Sequence, residues 1–194
     1  MNDKIIIAID AMGGENSPKK IVDGIELSLK ESNENFFRVY GNKDKLNFLV
    51  NKKHEIKNYC EIIHCDNHIE DEESPLSAAK KSKSTSMWQS IESQNTAKSQ
   101  ITLSAGNTGA LLILSRLILS MIDGIEKPAL AGLWPNKIGT NVVLDLGANI
   151  ECNDKDLIDF SSMGAALYKS LYPTDDPKIL LRTKNQVNID CHIM

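Results

Sequence analysis

Lys4-Ile-Ile-Ile-Ala-Ile-Asp10 is an almost unbroken apolar, mostly β-branched run that closes on an acid. A strand buried on both faces reads this way, and such burial implies a mainly parallel sheet covered by helices. Working outward, Asp10-Ala-Met-Gly-Gly14 is a turn, Ser17 is a helix N-cap with Pro18 at the first helical position, and Ile21, Val22, Ile25 and Leu29 follow at helical spacing. Residues 36–40 read as a second strand, 44–50 as a short helix and 60–65 as a third strand. Residues 66–75 are acidic and end on a proline, so a loop is expected there. Residues 76–98 form a polar helical region interrupted near Ser84. A short strand at 101–104 precedes 110–122, which is apolar on nearly every face, as in a helix buried inside a larger assembly. Strands are expected at 128–134 and 141–146, the second ending at Gly147. From Asp154 a helix carries Leu157, Phe160, Gly164, Leu167 and Leu171 on one stripe. The alternation of strand and helix predicts an α/β fold.

The chain has 194 residues, enough for one domain or one with an appendage. Hydrophobic residues make up 41% and charged residues 25%, so a sizeable core is available and general disorder is excluded. A net charge of -4 with interspersed signs gives no field that would gather polyanions, and nucleic acid is not an expected partner. Cys60, Cys65, Cys152 and Cys191 are too few and too scattered for a disulfide framework, which fits a reducing cytoplasm. The apolar runs at 5–9 and 110–122, the latter broken by Arg116, are too short to cross a bilayer, so a soluble protein is expected.

Three strand ends carry glycine turns: Asp10 to Gly14, Ser104-Ala-Gly-Asn-Thr-Gly109, and Asp145-Leu-Gly-Ala-Asn149. In an open α/β sheet ligands bind at the carboxyl ends of strands, where glycine lets the backbone approach an anion and the next helix offers free N–H groups. Three such turns could converge on one pocket, placing Gly13, Gly14, Ser104, Gly106, Asn107, Thr108, Gly109, Asp145, Gly147 and Asn149 around a phosphate or substrate. Asn107 or Thr108 can cap the helix, and Ser104 and Thr108 supply hydroxyls. The competing reading is that the glycines only close tight turns. Asp145 sits in an apolar stretch, where its carboxylate is either in use or bonded to its own turn; Asp10 has the same two readings. Within the basic and hydroxyl-rich stretch 80–87, residues Lys83 to Ser86, with Lys83 and Ser84 foremost, are further candidates for phosphate or an acidic carrier, and a solvated helix face explains that stretch as well. Cys60, His64, Cys65 and His68 suggest zinc, but strand alternation turns Cys60 and Cys65 opposite ways, so no metal is expected. Nucleophile-elbow, Walker A and dinucleotide fingerprints are absent from the sequence.

Ile7-Ala-Ile-Asp-Ala-Met-Gly-Gly14, Ser104-Ala-Gly-Asn-Thr-Gly-Ala-Leu111, Gly124-Ile125 with Lys127-Pro-Ala129, and Leu144-Asp-Leu-Gly-Ala-Asn149 with Met163-Gly164 stand in an order that resembles the bacterial phosphate acyltransferases of the PlsX type. The resemblance runs from Lys4 to about Leu181. It implies an isocitrate dehydrogenase-like, phosphotransacetylase-like fold and an enzyme that moves a fatty acyl group from acyl carrier protein to inorganic phosphate, for phospholipid synthesis. It also implies a homodimer, no cofactor, a cytoplasmic location peripheral to the inner face of the membrane, and a membrane glycerol-3-phosphate acyltransferase as partner. Residues 83–87 would match the family's Lys-x-Ser-Ser-Met segment. Glu15, Thr85 and Asn136 are mild departures. The larger departure is the tail 182–194, which diverges where the family continues into glycine-rich stretches holding its expected catalytic lysine and aspartate. Residues 1–181 are thus read as the N-terminal part of the acyltransferase domain, incomplete at its C-terminal side through a frameshift or early stop, and inactivity alone is the expectation. The alternatives are a catalytically inactive phosphate or acyl-carrier-protein binding module, and a dehydrogenase of the same fold, for which no nucleotide motif speaks.

Overall fold

The structure, a computed structural model, describes residues 4–80, 83–137, 139–181 and 192–193. The chain divides into two compact units, Met1–Ser120 and Met121–Met194. In the first, β1 (Ile5–Asp10), β2 (Asn35–Gly41), β3 (Cys60–His64) and β4 (Ile101–Ser104) form one sheet in the order β3-β2-β1-β4. All three pairings are parallel, with Ile7 opposite Phe37 and Asp10 opposite Ser104. This is the α/β class read from the opening strand. Its helices are α1 (Lys19–Glu31), α2 (Lys43–Asn51), α3 (Pro75–Lys80), α4 (Ser86–Asn95) and α5 (Thr108–Leu119), with a 3-10 turn at His54–Tyr59.

Strand alternation sorts the core. Ile9, Phe37 and Val39 face one way, onto Val22 and Ile25 of α1, Leu46 and Val50 of α2, and Ile56. Val22 and Ile25 are almost wholly buried, each worth about 2 kcal/mol of transfer free energy. Ala8, Tyr40 and Cys65 face the other way. A further cluster joins Ile69, Ala78, Met87, Ile91, Ala110 and Leu114, so α5 buries one side while Leu117 stays exposed.

The helix starts follow their capping chemistry, with one exception. Asn42 accepts from Lys45 N, Thr85 from Trp88 N and Asn107 from Ala110 N, so of the two candidates for α5 it is Asn107 that caps. Ser17 does not cap α1. Pro18 holds the N-cap position, and the Ser17 hydroxyl donates instead to the Gly13 carbonyl at 2.6 Å, a closer acceptor offered by the glycine turn.

In the second unit β5 (Gly132–Asn136) and β6 (Gly139–Val143) form an antiparallel pair, followed by α6 (Asp154–Leu171). The parallel alternation expected from the sequence does not extend to these strands. No helix separates them, and a short connection closes antiparallel strands only. Asp145 lies beyond β6 rather than within a strand. Two residues of the tail, His192–Ile193 (β8), pair antiparallel with Ile179–Leu180 (β7), an element no side-chain pattern announced because the ladder uses backbone groups alone. The rest of the 182–194 tail lies outside the described residues, as do Lys81 and Ser82. No helix among the described residues is long and apolar enough to cross a membrane.

Ion pairs tie the helix surfaces down. Lys19 and Lys53 both lie 2.7 Å from Asp23, and Lys53 also reaches Glu26. The hydrogen bond from Lys19, then that from Lys53, holds the Asp23 carboxyl at about 2, below the usual 3.8. In the second unit Lys127 and the Asn153 backbone N–H lower the carboxyl of Asp156, which also completes a capping box at α6. Both carboxyls are depressed in the folded state, so their stabilisation is present above the ordinary carboxylate range and is lost as pH falls through the folded values. Urea midpoints should therefore fall between about pH 4 and pH 2, and Lys53→Met should flatten that fall for the first unit.

Candidate functional site

In the sheet order β3-β2-β1-β4 the first three strands step outward on one side of β1 and the fourth returns on the other. That reversal makes the carboxyl ends of β1 and β4 the topological switch point, where α/β sheets bind ligands. The turns 10–14 and 104–109 leave the sheet at this point and touch. A Cβ on Gly13 would lie 2.9 Å from Gly106 Cα and 2.8 Å from Asp10 Oδ2. Gly14 has φ +83, and a Cβ there would fall 2.1 Å from the Ala105 carbonyl oxygen. Only glycine lets the two backbones approach this closely.

Beneath the turns lies a polar cluster. Asp10 is 1% exposed, and its carboxylate accepts from the Ser86 hydroxyl at 2.6 Å, the Ser104 hydroxyl at 2.9 Å and Met12 N at 3.3 Å. Ser104 in turn accepts from Gly106 N at 3.2 Å. Its single proton is spent on Asp10, so Ser104 holds the turn and has no proton left for a phosphate oxygen. Asp10 thus ties together the ends of β1 and β4 and the start of α4.

The acidic loop 66–75 folds against both turns. Asp71 Oδ1 accepts from Gly14 N at 3.1 Å, and the Asn107 amide donates to the carbonyls of Asp71 and Glu73. With Ala110 N on Asn107 Oδ1 and Gly106 N on Ser104, the N–H groups of Thr108 and Gly109 remain at the N-terminus of α5 with no partner among the described residues, beside the exposed Thr108 hydroxyl. Free N–H groups at a helix start carry the positive end of the helix dipole and favour a negative charge. The stretch 83–86 reaches the cluster only through its last residue. Lys83 lies over the Trp88 ring, Ser84 accepts from the Asn67 amide, and Ser86 meets Asp10.

The third turn belongs to the second unit and is closed on itself. Asp145 accepts from Leu130 N, Ala148 N, Asn149 N and the Asn149 amide, which fills the acceptor positions of both oxygens. Asn149 also donates to the Pro128 carbonyl at 2.8 Å, and Gly147 forms the bend. This geometry gives Asp145 a turn-building role within its own unit.

Asp71 and Lys20 were not singled out from the sequence, whereas Ser86 closes the 83–86 stretch that was. Lys20 Nζ lies 2.8 Å from where a Gly14 Cβ would stand, and the ammonium has no hydrogen bond or ion pair among the described residues. Its position two residues into α1 after a glycine turn was the available signal. Cys60 packs against the α1 side of the sheet and Cys65 on the opposite side, and no group of three potential metal ligands occurs among the described residues. Burial, reinforced by the Asp10 charge, pushes the Cys65 thiol up to about 12, whereas Cys152 is exposed. At pH 8 iodoacetamide should modify Cys152 roughly tenfold or more faster than Cys65, as peptide mapping would show.

The model of the family described as "Fatty acid synthesis protein" matches residues 5–183. Phosphate acyltransferase of Pelagibacter ubique is 52% identical over 181 residues, covering 93% of this chain and 54% of the relative. Phosphate acyltransferases of Rhodospirillum rubrum and Caulobacter vibrioides are each 35% identical, over 92% of this chain and 51% and 50% of theirs. The chain spans about half the length of these curated relatives. A match across nearly all of this chain, with the two touching glycine turns inside it, places the chain in the fatty acid synthesis protein family, that of the PlsX-type phosphate acyltransferases.

Proposed function

We propose that the switch-point crevice binds inorganic phosphate for attack on the thioester of an acyl carrier protein, giving an acyl phosphate and the free thiol. The observation that supports this most directly is the N-terminus of α5, where the Thr108 and Gly109 N–H groups and the Thr108 hydroxyl stand unspent beside two backbones brought together by glycine. Phosphate oxygen is itself the nucleophile, so the reaction requires of the protein positioning and charge stabilisation rather than a covalent residue. The helix start and Thr108 hold the anion, and the Asp10, Ser86 and Ser104 cluster fixes the turn that presents them. Gly13, Gly14, Gly106 and Asn107 shape the crevice, and Lys83 and Ser84 lie on the segment leading to it. Homodimer assembly, attachment to the membrane surface and delivery of product to a membrane glycerol-3-phosphate acyltransferase belong to the same reading, by family resemblance.

The test is a phosphate titration of the 194-residue chain by calorimetry, with Thr108→Val in parallel, followed by incubation with acyl carrier protein thioesters and hydroxylamine trapping of acyl phosphate. Saturable binding weakened roughly tenfold or more by Thr108→Val is expected, since a hydrogen bond to a charged group is worth about 1.5–3 kcal/mol. Hydroxamate formed only when phosphate is present would establish the transfer. Binding without hydroxamate would favour a binding module, and no phosphate binding would reject the site.

A further inference from the structure

Residues 71–75 lie as a strap across the mouth of the switch-point crevice. The Asn107 amide donates to the carbonyls of Asp71 at 2.9 Å and Glu73 at 2.7 Å, and a Cβ on Gly109 would fall 2.6 Å from Pro75 Cγ. The strap therefore touches the residues on both sides of Thr108. Its leading residue reaches the other turn, where Asp71 Oδ1 accepts from Gly14 N at 3.1 Å. Asp71 thus stands between the two glycine turns, with its carboxylate at the edge of the free Thr108 and Gly109 N–H groups.

The charges around it pull in opposite senses. The start of α5 and the Thr108 hydroxyl favour an anion, and the Lys20 ammonium lies 2.8 Å from where a Gly14 Cβ would stand. Lys20 also lines an apolar cavity of about 320 Å³ whose walls include Ile7, Ile9, Ile25 and Leu103, so that side offers its charge no partner. A carboxylate in the same place repels an anion unless the anion brings it a proton. An ionised carboxylate only accepts, at about four lone-pair positions, and the Gly14 N–H takes one of them. Asp71 Oδ2 has no hydrogen bond among the described residues and is open to a donor.

We infer that Asp71 is a specificity-determining residue, which makes the crevice select a tetrahedral oxyanion that still carries a proton. Hydrogen phosphate donates its O–H to the open carboxylate oxygen, and its other oxygens face the helix start and Lys20. Sulfate, of similar size and equal charge, has no proton to give and meets Asp71 as a repelling charge. The inference rests on the reading of the crevice as a phosphate site and adds what sets its choice among oxyanions.

The experiment titrates the 194-residue chain calorimetrically with phosphate and with sulfate at pH 8 and equal ionic strength, where the two are dianions differing by one proton. The parent chain should bind phosphate roughly tenfold or more tighter than sulfate, as one hydrogen bond to a charged acceptor implies. Asp71→Asn keeps an oxygen for the Gly14 N–H and turns the open acceptor into an amide donor. It should weaken phosphate, strengthen sulfate and bring their ratio to about one or below, at an unchanged melting temperature. Glu72→Gln removes the same charge from the exposed next residue and should leave the ratio where it was. Arsenate, protonated at this pH, should follow phosphate, and selenate, unprotonated, should follow sulfate, which decides the matter in the parent chain if the asparagine variant does not fold. Equal affinity for protonated and unprotonated anions in the parent chain, or a ratio that folded Asp71→Asn leaves unchanged, overturns the inference. So does an equal shift in Glu72→Gln, which would mark a general effect of charge. The failures separate cleanly: phosphate bound and weakened by Thr108→Val, without preference over sulfate, rejects the role of Asp71 alone. Neither anion bound rejects the crevice reading and this inference with it.

Discussion

Asp10→Ala is expected to destabilise the first unit by about 3 kcal/mol, read as a shift of the urea midpoint at unchanged slope. The substitution removes the acceptor for two hydroxyls, one of them on Ser86, which is wholly buried, and leaves a hole at a position 1% exposed. Each buried donor left without a partner costs roughly 1–3 kcal/mol. The functional loss should be larger than the stability loss suggests. Ser104, released from Asp10, no longer holds Gly106 N, and the turn that leads into α5 is free to swing. Phosphate affinity should fall at least about tenfold in the folded variant, while Asp10→Asn, which keeps one acceptor oxygen, should recover part of both losses. Equal phosphate affinity in Asp10→Ala and the parent chain would show that the cluster serves folding only.

Gly14→Ala should have the second large effect. The residue has φ +83, which costs an L side chain about 1–2 kcal/mol, and the new methyl would lie 2.1 Å from the Ala105 carbonyl oxygen. No rotamer relieves a contact between a Cβ and a backbone oxygen, so the 10–14 and 104–109 turns must separate. A total cost of about 3–5 kcal/mol is expected, with collapse of phosphate binding in any molecules that remain folded. The contrast with Gly24→Ala, inside α1 and expected to stabilise because a Cβ there would meet nothing within 4 Å, makes a paired thermal melt informative: the same one-methyl addition should move the two melting temperatures in opposite directions.

The opening strand was legible because burial on both faces leaves a composition, Ile-Ile-Ile-Ala-Ile, that few other local structures tolerate. The start of α5 was legible for a similar reason: Asn107 caps through its own residue type, three positions from the N–H it satisfies. What escaped the sequence lies across long separations. Asp10 meets partners 76 and 94 positions away, and Asp71 meets Gly14 at a separation of 57. Periodicity and capping rules describe neighbours within a turn or two, so they placed Asp10 at a strand end without saying which hydroxyls it would hold. Lys20 was hidden differently: on a helical pattern it is one more solvated lysine, and only the fold brings it beside Gly14 and an apolar cavity. That β5 and β6 are strands was legible, but their antiparallel pairing was not, because apolar runs of that length look alike in either pairing sense.

The place of β4 at the far side of β1 also sets a timetable. During synthesis β1, β2 and β3 have left the ribosome once His64 emerges, and they can pair and pack under α1 and α2 as a local unit. Asp10 then waits, without its hydroxyl partners, until Ser86 and finally Ser104 arrive, the latter closing a loop of 94 positions. The crevice should therefore be the last part of the unit to gain protection in pulse-labelled hydrogen exchange, with the amide of Gly106 slower to appear than those of β1 and β2.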